Sequence, residues 1–158
     1  MREILFRGQH RRYGERVSMA GEKLPPVWVY GGVLQGEGDF SIIYGSKSPD
    51  GKFEEKYPVY TETLGQYTGL TDKNGKKIFE GDIVERKGVT IWENYEGPDG
   101  KTWSRSTNRK KDEQGIVRYD DSKTQFTTNN PCIWLGYYDD TEVIGNIHDN
   151  PELLKEAT

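Results

Sequence analysis

The sequence is short of almost everything that marks a helical or disulfide-bonded protein. Of its 158 residues, two are alanine, eight are leucine and two are methionine, and Cys132 is the one cysteine. Scarce Ala and Leu removes the strongest helix formers. No long stretch repeats apolar residues at i, i+3, i+4 and i+7. A lone thiol excludes an internal disulfide framework, and Cys132, between Pro131 and Ile133, reads as a small buried hydrophobe. No apolar run reaches the roughly 18 residues of a membrane helix. The opening residues 1–7 lack the apolar stretch of a signal peptide, so the expected location is a reducing cytoplasm.

What is present is strand-and-turn material. Leu, Ile, Val and Phe make up only about 20% of the chain, near the border of disorder, but 10 Tyr, 5 Phe and 4 Trp supply apolar area instead. Nineteen glycines and seven prolines punctuate the chain. Alternation predicts strands near 3–8, 27–34, 40–44, 81–86, 115–119, 125–128, 133–138 and 142–147. Residues 57–60 read as an edge segment, because Pro58 removes a ladder donor. Asn74-Gly75 predicts a hairpin through a type I′ turn. Residues 93–113 are polar and turn-rich with isolated aromatics, and read as a long hairpin or an inserted loop. Asn150-Pro151-Glu152 predicts a short C-terminal helix capped by Asn150 and docked through Leu153 and Leu154. The fold class is therefore all-β with two small lobes, 1–64 and 65–158, the second SH3-like or barrel-like.

Catalytic chemistry is thin. His10 and His148 stand in no metal-ligand spacing. Asp120-Asp121 and Asp139-Asp140 are neighbours whose side chains leave a strand on opposite faces, and turn chemistry accounts for them. No phosphate loop, dinucleotide fingerprint or nucleophile elbow occurs. The chain is expected to be no enzyme and to need no cofactor or metal. The one patch with binding character is Trp92, Tyr95, Trp103, Arg105, Arg109, Lys110 and Lys111. Aromatics interleaved with cations suit base stacking and phosphate neutralisation, and equally a protein partner. The net charge of −4 argues against coating nucleic acid by bulk charge, although residues 1–24 and 101–123 each carry +3 and 134–158 carry −5. Edge strands in so small a β protein need cover, so a homo-oligomer is expected.

The run 65–84 (Gly65-Gln66-Tyr67-Thr68-Gly69-Leu70 through Asp72-Lys73-Asn74-Gly75-Lys76-Lys77-Ile78-Phe79-Glu80-Gly81-Asp82-Ile83-Val84) resembles the signature of the YopX family, small proteins of bacteriophages and prophages of Gram-positive bacteria. Residues 2–8, Trp28-Val29-Tyr30-Gly31, 142–147 and 150–154 resemble the same family. The resemblance implies a β-rich fold and a phage or prophage origin. It carries over no catalytic or ligand residue. The function it suggests is an accessory protein that binds a host or phage protein; the alternative is a nucleic-acid-binding module using the basic, aromatic patch.

Overall fold

The structure is a computed structural model and describes residues 3–11, 21, 25–34, 40–45, 56–130, 133, 135 and 140–154. Among the described residues there are ten strands: β1 Phe6–Gln9, β2 Trp28–Leu34, β3 Phe40–Tyr44, β4 Lys56–Tyr60, β5 Gly65–Thr71, β6 Lys77–Phe79, β7 Asp82–Glu96, β8 Thr102–Asp120, β9 Gln125–Thr128 and β10 Thr141–Asn146. They form two antiparallel sheets, one ordered β4-β3-β2-β1-β5-β6 and the other β10-β7-β8-β9. The all-β expectation holds. Strands β5 and β6 belong to the first sheet, so the chain passes from one sheet to the other between Phe79 and Asp82, where Gly81 turns with φ +77. The expected strand at 133–138, Cys132 and Trp134 fall largely outside the described residues.

The first sheet curls. Alternation turns Val29 on β2, Ile43 on β3, and Tyr57 and Val59 on β4 into one buried cluster. The chain that follows β1 meets β4 through a bridge between His10 and Val59, and Arg11 N–H donates to Pro58 O at 2.9 Å. His10 is therefore buried at 1% exposure, with its ring edge-on to Tyr57 at 5.5 Å. Its sequence neighbours Arg7 and Arg11 are basic, but a contact made 49 residues away in the chain removes it from water. Ile78 of β6 in the first sheet joins Val84, Val117 and Val143 of the second, together with Ile133, in the other core. Among the described residues no ladder joins β9 to β10.

Two local expectations are corrected. Gly75 has φ +80, but Asn74 does not share it, because Thr124 is the only non-glycine with positive φ among the described residues. The hairpin is thus not type I′. Gly75 N–H donates to Asp72 O, while the Asp72 carboxylate takes the N–H groups of Asn74 and Lys76 at 2.8 and 2.9 Å. A side chain that captures two amides favours an ordinary turn closed by a left-handed glycine. At the C-terminal end, Pro151–Leu154 forms only a 3-10 turn, not an α-helix. The Asn150 Oδ1 expected to cap it instead accepts the Asn146 N–H at 3.4 Å, and neither Leu153 nor Leu154 is buried. Four residues are too few to repay helix nucleation.

The sheets are joined by polar contacts. Asp72 Oδ2 accepts the Val143 N–H at 3.1 Å, and Gly81 N–H donates to Val117 O at 2.9 Å. Arg7 on β1 reaches Asp82 at the start of β7, Nη1 to Oδ1, at 2.6 Å.

Candidate interaction arm

Strands β7 and β8 are far longer than the others, 15 and 19 residues. Their inner halves carry Val84 and Val117 into the core and bury Ile83 as well. Beyond Glu113 both strands leave the body as a ribbon exposed on both faces. Nothing in residues 88–112 alternates apolar with polar, because neither face meets a core. Thr, Ser, Asn and charged residues pair there through the backbone ladder and through polar side-chain contacts across it. Of the two readings of 93–113, the hairpin is the observed one, with Tyr95 opposite Trp103 and Glu93 opposite Arg105. The register slips between Arg86 and Val89 and between Thr90 and Trp92, two bulges that add twist. The tip is closed by Gly97 N–H donating to Lys101 O at 2.8 Å. A Cβ on Gly97 would stand 2.7 Å from the Trp103 indole, so only glycine lets the ring lie over the turn. Asp99 accepts the Trp103 indole N–H at 3.3 Å and the Lys101 N–H at 3.2 Å, which together hold its carboxyl below the usual range.

The residues singled out from sequence are all on this arm, but they are split between its faces. Cross-strand partners share a face and neighbours alternate. One face carries Glu93, Tyr95, Trp103 and Arg105. The Arg105 guanidinium stands 5.6 Å from the Tyr95 ring. Glu93 takes Arg105 at 3.8 Å and also pairs with Arg109. Lys111 pairs with Glu113 at 2.5 Å. The opposite face carries Thr90 beside Lys110, Trp92 beside Ser106, Asn94 beside Ser104, and Glu96 beside Thr102. Ser104 Oγ donates to Asn94 Oδ1 at 2.6 Å across that face. Trp92, Trp103 and Tyr95 are 64%, 52% and 45% exposed. The array is therefore aromatic on both faces, and its cations on the Tyr95 face are paired to carboxylates, with Glu93 shared by two of them.

A second feature escaped sequence reasoning. A groove of about 360 Å³ is lined by Leu5, Arg7, Tyr30, Lys76, Lys77 and Phe79. The Arg7 guanidinium lies 4.9 Å from the Trp28 ring and 5.0 Å from the Phe79 ring. Its charge is committed to Asp82, and Lys77 is committed to Glu3 at 2.7 Å. Burial pushes the Tyr30 hydroxyl up from its ordinary value, with Arg7 opposing and Asp82 and Asp149 adding to it. His148 is half-buried, its ring 5.9 Å from Trp28; burial first, and then Arg7, lowers its pKa. Asp149 accepts the Trp28 indole N–H at 2.7 Å and Gln9 Nε2 at 2.9 Å. These groups brace one another. Residues as far apart as Gln9 and Asp149 meet only through the pairing of sheets, so no local motif signals the cluster.

The family model of the YopX protein matches residues 35–155, a span that takes in the whole arm and the 65–84 run. The chain belongs to the YopX family. The likenesses at 2–8 and 28–31 lie before the matched span. The crystal structure of protein EF1440 from Enterococcus faecalis is similar to this YopX-family chain with a TM-score of 0.44 at 23% identity, over 98% of this chain and 99% of that one. No curated protein matches the sequence.

Proposed function

We propose that this YopX-family chain is a non-enzymatic accessory protein of a phage or prophage, working in the bacterial cytoplasm, and that it binds a protein partner through the Tyr95 face of its β7–β8 arm. The observation that carries the reading is the grouping of two exposed rings with a guanidinium, Tyr95 and Trp103 beside Arg105, on a ribbon that projects from the core. Aromatic and Arg side chains dominate the energetics of protein interfaces. Glu93 engages both Arg105 and Arg109 and so leaves this face with fewer free cations than a phosphate backbone rewards, which favours a protein surface.

The test pairs retention of a partner from host extract with reconstitution from purified components. The purified complex is expected to weaken by about 10-fold or more in the Tyr95→Ala/Trp103→Ala variant. Labelled single-stranded DNA, duplex DNA and RNA run beside it at about 50 and 200 mM salt. Salt-steep nucleic-acid binding that is lost in an Arg105→Ala/Arg109→Ala/Lys110→Ala/Lys111→Ala variant would replace the protein partner with a nucleic acid. A reconstituted complex indifferent to Tyr95 and Trp103 would remove the arm from the reading.

A further inference from the structure

The face of the arm opposite Tyr95 has a different charge pattern. Among the described residues Lys110 makes no ion pair or hydrogen bond, and neither does Glu96. Lys110 stands level with Thr90 at the base of the face, and Glu96 stands at its tip. Six residues separate those levels, about 20 Å at the usual strand rise. Midway between them is the level of residue 93, beside Trp92, which at 64% has the most exposed ring in the arm. The remaining positions between those levels are Thr90, Asn94, Thr102, Ser104, Ser106 and Asn108, all uncharged, and Asp112, below Lys110, turns its carboxylate to the Gly88 N–H at 2.9 Å.

One cation and one anion set symmetrically about an exposed indole form a self-complementary pattern. A two-fold axis through that midpoint lays the face against itself, antiparallel. Each Lys110 then meets the other copy's Glu96, and the two Trp92 rings flank the axis. An interface of this kind is isologous, because the same patch serves both copies. We propose that two copies of this chain associate arm to arm through the Trp92 face, with reciprocal Lys110–Glu96 ion pairs at its ends. Between the Lys110 and Glu96 levels the face carries no net charge, so it does not suit phosphates. A ribbon roughly 30 Å long and two strands wide offers a footprint on the order of 300 Å² per copy, below the ~800 Å² per partner of a standard stable complex. The dimer is accordingly a weak one, with a dissociation constant in the micromolar range. It leaves Tyr95 and Trp103 outward on both arms. It therefore stands independently of the proposed partner site, and the two fail separately.

Sedimentation velocity of the full chain between about 5 and about 500 µM reads the association. The wild-type protein is expected to move from monomer to dimer across that range. Lys110→Glu and Glu96→Lys each place like charges at both ends of the interface and should weaken dimerisation by about 10-fold or more. The double swap Lys110→Glu/Glu96→Lys should return it to within about 3-fold of wild type. Trp92→Ala should weaken it, whereas Tyr95→Ala/Trp103→Ala should not. These side chains are exposed, so the variants remain folded. A wild-type protein that stays monomeric throughout would overturn the proposal. So would single reversals equal to wild type, or a double swap that fails to restore the dimer.

Discussion

Arg7 and Asp82 hold the two sheets together by a 2.6 Å ion pair whose side chains are 8% and 1% exposed. Arg7 also donates from Nη2 to Glu80 O at 3.1 Å, and Asp82 Oδ2 accepts the Phe79 N–H at 2.7 Å. Breaking a buried pair on one side leaves the other charge stranded, at a cost of about 3–5 kcal/mol. Arg7→Ala should therefore lower the denaturant midpoint sharply. An Arg7→Met/Asp82→Asn double variant should cost much less than the sum of its single changes. Additive losses in that cycle would show that the two groups are not coupled.

Backbone geometry supplies a pair of opposite tests. A Cβ on Gly31 would stand 1.9 Å from Tyr44 O, in the ladder between β2 and β3. Gly31→Ala must part those strands and should cost about 3 kcal/mol or more. Thr124, exposed after the Asp120 turn, holds φ +51, a conformation unfavourable for a β-branched residue. Thr124→Gly should stabilise the protein by about 1 kcal/mol. Thermal unfolding of the two variants decides both, and a destabilised Thr124→Gly would mean that the turn does not hold that strain.

Asp72 predicts a pH dependence. Burial opposes its charge, but the N–H bonds from Val143, Lys76 and Asn74 outweigh burial and hold its carboxyl below the ordinary value. A lowered folded pKa contributes stability that is complete above the unfolded value and is lost as pH falls through the folded one. Asp72→Asn should cost about 1–3 kcal/mol at neutral pH. The gap between variant and wild type should narrow as pH drops below about 4. Asp82 works the other way. Burial raises its carboxyl and Arg7 only partly offsets that, so its ionisation costs stability as pH climbs from the ordinary carboxylate value to the raised one. A gap for Asp72→Asn that stays constant from neutral to acid pH would exclude the assignment for Asp72.

Hydrogen exchange should map the division of the long hairpin. A two-stranded ribbon without a packed face is marginal in water. Amides in 89–96 and 102–111 should exchange orders of magnitude faster than those of Ile83, Val84 and Val117, which are at most 1% exposed. Equal protection along both strands would indicate that the arm is already covered.

Strands that face a core were legible in the sequence. Val29, Ile43, Tyr57 and Val59 alternate with outward residues, and the three strands that carry them were placed within one residue, whereas the start of β1 was placed three residues early. The outer arm was not, because alternation records burial on one face and this ribbon has none. Its turn, its aromatics and its cations could be named, but not their division between faces, which depends on register. His10 and the Arg7–Asp82 pair were hidden for another reason. Their partners lie far along the chain, and nothing local marks a residue for burial by a distant strand. The C-terminal turn carried a real helix-start pattern that was too short to act on.

Strand β7 begins at Asp82, in the grip of Arg7, and ends at Glu96, at the arm's tip. One continuous backbone thus connects the tip of the arm to the seam between the sheets. Force applied at the tip travels along that strand as along a lever, with the bulges near Gly88 and Ile91 as its points of give. Whatever loads the arm also loads the seam, so mechanical resistance at the tip and cohesion of the body are one property.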